Sequence, residues 1–263
     1  MLAAGMGSRL TGGPQGARGH ATPKSLLEFG GKSLLERHIA ILKQAGVEEL
    51  NLVLGYLSEE ITAAIGSLGA SDFIQVWQNP DYREGSVVSL WSARQVLTSG
   101  SDVIFMDADV LYHPDLINRL VASTHQSCLL LDRDFEAGDE PVKLCLRGDQ
   151  PVEFRKQISG QFDVIGEWPG FLKLSAKAAG DIAERCESYV TGKNYLTDNG
   201  AGDNKANRRD QPCEEVFRDA IIAATPGMFG VEDITGLPWI EIDFPEDLIR
   251  AEKEILPKLP DTV

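Results

Sequence analysis

The sequence predicts an α/β fold: a mostly parallel sheet flanked by helices on both faces, with a small antiparallel β insertion. Three observations carry this reading. Short β-rich runs alternate with amphipathic stretches through the first half, the rhythm of stacked βαβ units. The second half instead places short apolar runs between turn residues such as Gly148-Asp149, as hairpins do. With 263 residues, 43% of them hydrophobic, the chain is long enough to bury roughly three quarters of its unfolded surface. One large domain, or one with a small lobe, is therefore expected.

In chain order, strands are expected at residues 2–4, 50–56, 73–78, 103–107 and 128–132, with helices at 33–45, 58–68, 86–97 and 114–125. In the first of these helices Leu34, Leu35, Ile39 and Leu42 follow helical spacing, and Gly46 stands where a C-terminal cap belongs. The insertion is assigned to strands 142–147, 151–154 and 171–174. Helices 175–189 and 213–224, a returning strand 239–243 and a helix 245–256 opened by Pro245 complete the pattern. Residues 195–211, rich in Gly, Asn and Asp, read as a mobile surface loop. Only Met1 and three more residues precede Gly5, so the first strand is expected to be cut short against the usual five or six residues.

Charge narrows the function. Lys and Arg total 25 against 40 Asp and Glu, a formal −15, which excludes a generic nucleic-acid coat. Cys128, Cys145, Cys186 and Cys213 form no CxxC pair and read as packed, reduced thiols. His20, His38, His113 and His125 show no metal-ligand spacing. No basic segment followed by an apolar run opens the chain, and no stretch of 18 apolar residues occurs. A soluble, cytoplasmic protein without nucleic-acid or membrane partners is expected.

Residues 2–10 (LAAGMGSRL) bring a strand end into a glycine-containing loop, with Arg9 just beyond and Pro23-Lys24-Ser25-Leu26 downstream. Glycines let backbone N–H groups approach phosphate oxygens, and Arg9 and Lys24 add positive charge, so a triphosphate is the natural ligand. A lone GxG also fits a plain βα turn. Leu10 stands where a dinucleotide fingerprint needs its third glycine, and Leu26 where a Walker A motif needs its first. Asp107 and Asp109, two apart at a strand end, share a face if the strand continues that far. Asp243, seen alone before Pro245, reads as a helix cap.

The two segments LAAGMGSRL and PKSLLEFGGKSLLERHI together resemble the signature of nucleoside-triphosphate transferases that make sugar-nucleotides and related activated phosphates, enzymes with a Rossmann-like fold. The likeness continues through residues 79–86, 106–110 and 239–243, which are most similar to the choline-phosphate and 2-aminoethylphosphonate cytidylyltransferase branch. It implies a nucleotide site built from Leu2, Ala3, Ala4, Gly5, Gly7, Ser8, Arg9, Lys24, Asn79, Ser86 and Asp107. Arg9 and Lys24 take the catalytic role of stabilising the leaving pyrophosphate. Asp109 and Asp243 are implied as the ligands of one Mg²⁺, with Mn²⁺ as a substitute; Asp107 braces the loop or holds a metal-bound water. The start of the helix at Ser86, with Val87 and Ser89, would face base and ribose; an N-cap without a ligand is the alternative.

For the acceptor, the resemblance implies Lys156 against its phosphate, Gly170 as a bare backbone at the pocket, and Glu214 facing it. Taken alone, Lys156 fits a solvated basic pair, Gly170 a turn, and Glu214 a helix first turn favoured by the macrodipole. A quaternary ammonium would ask for an aromatic box from Tyr82, Trp91, Trp168, Phe171 or Tyr195. A primary ammonium would ask for carboxylates, and Asp132, Asp134, Glu136, Asp139 and Glu140 crowd one segment, which also fits a solvated loop.

These residues define an expected Mg²⁺-dependent cytidylyltransferase: CTP and a phosphocholine- or 2-aminoethylphosphonate-type acceptor react, and pyrophosphate leaves. The alternatives are a sugar-1-phosphate uridylyl- or thymidylyltransferase and a non-catalytic nucleotide sensor. Residues 1–132 are expected to hold the nucleotide, 133–235 the acceptor, and 236–263 the second metal-ligand strand with a closing helix.

Overall fold

The computed structural model describes residues 1–10, 22–136, 138–192 and 208–260. The central sheet begins with β1 (Leu2–Ala3), which pairs in parallel with β4 (Leu50–Leu54) after a small hairpin of β2 (Glu28–Phe29) and β3 (Lys32–Ser33). Between hairpin and β4 lies α1 (Leu34–Gln44), whose Ser33 cap accepts from the Glu36 amide at 3.1 Å. Next come α2 (Ser58–Ser67), β5 (Ile74–Gln78), α3 (Ser86–Ser92) and α4 (Arg94–Leu97), then β6 (Val103–Met106), β7 (Val110–Tyr112), α5 (Asp115–Ala122) and β8 (Ser127–Leu131). The insertion holds β9 (Lys143–Arg147), β10 (Gln150–Arg155) and β11 (Val164–Glu167). The chain then returns through β12 (Phe171–Leu174), α6 (Ala176–Thr191), α7 (Cys213–Ala223), β13 (Phe229–Asp233), β14 (Trp239–Glu241) and α8 (Pro245–Arg250).

A single parallel bridge between Leu2 and Asp107 joins β1 to the β6 edge, giving the order β5-β4-β1-β6-β12-β8-β13. Within it β12 runs antiparallel to both β6 and β8, while β13 runs parallel to β8. Strand alternation sorts the side chains to two cores. Phe105, Leu129, Leu131 and Leu172 face α3, α6 and α7, whereas Met106, Cys128, Leu130 and Phe171 face α1, α2 and α5. The insertion is antiparallel, in the order β10-β9-β11, and meets the main sheet through the Asp132–Glu167 bridge. All four cysteines are buried and free, and among the described residues no helix is long and apolar enough to cross a membrane. A cavity of about 800 Å³ lies at the end of the sheet where β4 and β6 begin, lined by Leu50, Asn51, Val103 and Ile104 among others.

Several expected elements differ in detail. The helix expected over 86–97 breaks at Ala93, whose φ of −100° and ψ of 23° leave the helical region. The helix expected to reach 125 stops at Ala122, where Ser123 turns extended. The strand expected to reach Asp107 ends at Met106, so Asp107 and Asp109 lie on a loop rather than along one strand face. Strands β7, β11 and β13 have no counterpart in the sequence reading; they are three to five residues long, too short to show a period. Most of the expected mobile loop, 195–207, falls outside the described residues, while 208–211 are described and bonded to their neighbours.

Candidate functional site

The β7–β14 ribbon assembles the site. Glu241 pairs with Val110 in antiparallel register, and the Ile242 amide donates to the Asp109 carbonyl at 2.9 Å. Two loops more than 130 residues apart in sequence are thus tied at one end of the sheet, each presenting an aspartate. The Asp243 and Phe244 amides both donate to Asp247 Oδ2, at 3.0 and 2.7 Å, which fixes the turn that aims Asp243.

Into this corner reaches Lys24, carried on a short 3-10 turn after Pro23. Its Nζ lies 2.9 Å from Asp109 Oδ2 and 2.6 Å from Asp243 Oδ1. Burial disfavours the ammonium, but the Asp109 and Asp243 carboxylates outweigh it and hold Lys24 charged well above its usual range. Arg9 Nη1 meets the other oxygen of Asp243 at 2.9 Å and Glu140 Oε2 at 3.2 Å. The loop between Ala4 and Arg9 turns at Gly7, with φ of 59° and the Lys24 side chain 3.4 Å from where a Cβ would stand. Gly5 faces open space, whereas Leu2 and Ala3 are spent on strand pairing and the Ala4 carbonyl accepts from Tyr56.

Asp109, Glu241 and Asp243 each offer an oxygen within 4.8 Å of the others. Hard carboxylate oxygens gathered this closely suit Mg²⁺, which binds through one or two carboxylates plus substrate phosphates. Glu241 is absent from the sequence-derived set, although it stands two residues before Asp243 on a strand, the same-face spacing applied to Asp107 and Asp109. Its position in the cleft and the neighbouring Asp109 and Asp243 carboxylates push it up to about 8. Solvent still reaches the side chain, and like-charge repulsion from Asp109 and Asp243 adds to the effect of its partial burial.

Asp107 lies beneath this group. Its amide donates to the Gly170 carbonyl at 3.1 Å, and burial followed by the charges of Asp109, Glu214 and Glu241 raises its carboxyl well above the usual range. Gly170 adopts φ of 92°, and a Cβ there would stand 2.7 Å from Asp107 Oδ2. Glu214, on the first turn of α7, is near enough for its charge to raise Asp107, and Lys156 pairs with Glu140 at 3.1 Å.

Other expected site residues are committed elsewhere. Trp168 is buried among Phe105, Phe154 and Phe217, and its indole N–H donates to the Phe171 carbonyl at 2.7 Å; neither it nor the fully buried Phe171 offers an open face. Asp132 is buried, accepting from Trp239 Nε1 at 2.8 Å and the Asp134 amide at 2.9 Å, so its carboxylate braces loops rather than meeting an ammonium. Asn79 is likewise buried: it donates to Ser89 and accepts from the Asp81 amide, shaping the 79–85 turn. Ser86 Oγ accepts from the Cys213 amide at 2.8 Å, so it caps α7 as well as opening α3.

That turn is held by a contact the sequence did not suggest. Arg209 pairs with Asp81 and Glu84, its carbonyl accepts from the Gly85 amide, and a Cβ at Gly85 would collide with the Gln211 carbonyl.

Known proteins are similar to this chain in sequence and in fold. A CMP-5'-(3-aminopropyl)phosphonate synthase of Streptomyces rubellomurinus is 29% identical over 98% of the chain, and a CTP:phosphoglutamine cytidylyltransferase of Campylobacter jejuni is 23% identical over 96% of it and 98% of the relative. The chain spans only 38% of the length of the first of these, and 51% of another curated relative. The solved structure of the CTP:phosphocholine cytidylyltransferase from Streptococcus pneumoniae superposes with a TM-score of 0.67 at 22% identity, over 95% of each chain. The sequence profile of the MobA-like NTP transferase domain matches residues 1–161, which is more than half of the chain, and the chain belongs to that family.

Proposed function

We propose that this chain is a Mg²⁺-dependent nucleotidyltransferase that joins the cytidylyl group of CTP to a small acceptor bearing a phosphate or phosphonate. The observation that carries the reading is Lys24 held between Asp109 and Asp243 at the mouth of the glycine loop, with Arg9 beside it. An oxyanion of the acceptor attacks the α-phosphorus in line, the bond from that phosphorus to the bridging oxygen breaks, and pyrophosphate departs. No general base is required, because a phosphomonoester with a second pKa of about 6 is already a dianion at neutral pH.

Asp109 and Asp243 would hold the Mg²⁺ with Glu241 beside them, and the bound ion would supply charge neutralisation on the reacting phosphates. Lys24 and Arg9 supply fixed positive charge where the leaving group develops negative charge. The backbone from Gly5 to Ser8 faces the triphosphate, residues 1–132 form the nucleotide half, 133–235 the acceptor half, and 236–263 return the second metal ligand. Cytidylyl transfer is supported by the relatives, whose names include CTP or CMP; their acceptors differ, so the acceptor assignment rests on the shared phosphorus oxyanion.

Pyrophosphate release tests this reading directly. CTP and UTP would each be offered with phosphocholine, 2-aminoethylphosphonate and glucose-1-phosphate. Turnover with CTP and an aminoalkyl acceptor supports the proposal; turnover with UTP and the sugar phosphate replaces it with the sugar-nucleotide reading. Nucleotide binding without turnover on any pair assigns the chain as a sensor.

A further inference from the structure

A single carboxylate oxygen collects two cations from opposite halves of the site. Glu140 Oε2 lies 3.2 Å from Arg9 Nη1, on the glycine loop, and 3.1 Å from Lys156 Nζ, just beyond β10 of the insertion. Resting on the transferase reading above, we propose that Glu140 is a built-in stand-in for the acceptor's phosphorus oxyanion, occupying the place between Arg9 and Lys156 until a dianionic substrate group displaces it.

Three features support the assignment. The contacts are solvent-exposed, with the side chains of Arg9, Glu140 and Lys156 about half open (46%, 54% and 42%), so they contribute little to holding the fold together. The neighbouring Arg155 behaves differently: it pairs with Glu215, whose side chain is only 20% exposed, on α7. Lys156 is therefore the basic residue of this pair whose partner is easily exchanged. Finally, the same Arg9 Nη1 that meets Glu140 lies 2.9 Å from Asp243 Oδ2, so the place held by Glu140 adjoins the acidic centre.

The chemistry follows from counting oxygens and charge. A carboxylate offers one negative charge, whereas a phosphate monoester or phosphonate dianion offers two charges and three oxygens, enough to accept from Arg9 and Lys156 together. Displacing Glu140 thus favours terminal phosphate or phosphonate dianions over carboxylates and phosphodiesters, which carry a single charge. Glu140 becomes a specificity-determining residue: it competes for the cations and sets the charge that an acceptor must bring.

The test uses the full chain and methylphosphonate as the probe, with binding read by ³¹P NMR titration, which requires no turnover. Glu140→Gln is expected to bind methylphosphonate about fivefold tighter than the parent, since it removes a charged competitor from an exposed pair. Lys156→Met should weaken binding, and the double variant should lose the gain. Unchanged or weaker binding by Glu140→Gln, in a protein that melts within a few degrees of the parent, overturns the proposal, as does a gain that survives in the double variant. A gain seen in a protein that releases no pyrophosphate would support the oxyanion place while removing the transferase reading.

Discussion

His38 Nε2 lies 3.1 Å from the carbonyl oxygen of Ala108, fastening the loop that carries Asp107 and Asp109 to the inner face of α1. A carbonyl only accepts, so Nε2 bears the proton, and Nδ1 accepts from the Tyr112 hydroxyl at 3.3 Å. Both partners are buried, and the imidazole is fully enclosed.

Burial pushes His38 down to about 4, against 6.5 for an ordinary histidine. The unfolded chain therefore binds this proton more readily than the folded one. The contribution is full above pH 6.5 and is lost as pH falls toward 4, by about 3 kcal/mol in all. Urea denaturation across pH 4–7 is expected to show this loss, and His38→Gln to flatten it. A parallel pH dependence in both proteins would assign the slope to other groups.

On the proposed reading, Lys24→Ala is expected to reduce turnover by about 10²- to 10³-fold, since it would remove the charge that stabilises the leaving phosphates. Lys24→Arg should recover only part of it, because a planar fork does not reproduce a point charge between two carboxylates. Steady-state kinetics with CTP, alongside circular dichroism to confirm folding, decides the matter; activity near the parent's would detach Lys24 from the reaction.

The three carboxylates should not be equivalent. Asp109→Asn and Asp243→Asn are each expected to lower activity at least about 100-fold and to raise the Mg²⁺ concentration needed for half-maximal rate, as loss of a direct ligand does. Glu241→Gln should cost less than about tenfold, because a neutral amide relieves the repulsion that pushes Glu241 up to about 8. Magnesium titrations of the three variants provide the ranking, and an Asp109→Asn protein with parental turnover would dismiss the metal assignment.

Gly170→Ala places a methyl group 2.7 Å from Asp107 Oδ2 on a backbone with φ of 92°. Strain and collision together should destabilise the fold by about 1–3 kcal/mol. Because the Gly170 carbonyl accepts from the Asp107 amide, the change should also depress turnover in molecules that remain folded. Equilibrium denaturation and kinetics on the same preparation separate the two effects.

Long periodic segments were readable from sequence. Helix α1 announced itself through Leu34, Leu35, Ile39 and Leu42, and its interior is buried as that spacing requires. The glycine loop and Lys24 are legible because their residue types suit phosphate chemistry, Asp109 and Asp243 are named as metal ligands only through the family resemblance, and the structure brings these residues together. Glu241 was readable in principle from its spacing to Asp243. Trp168 and Asp132 were misplaced because side-chain chemistry says what a group can bind, while burial decides whether anything reaches it. The Arg209 clamp and the His38 support join residues 125 and 70 positions apart, and no local pattern encodes such pairings.

The contact between Arg9 and Asp243 spans 234 positions. During synthesis, the glycine loop, Lys24 and Asp109 leave the ribosome long before β14 exists, and domains generally fold from the N-terminal side as they emerge. A nascent chain ending before residue 239 could form the β5-β4-β1 edge yet would lack Glu241 and Asp243. The acidic centre is thus completed only once β14 has been made, and a product terminated before it keeps Arg9 and Lys24 but lacks the Asp243 carboxylate that pairs with both.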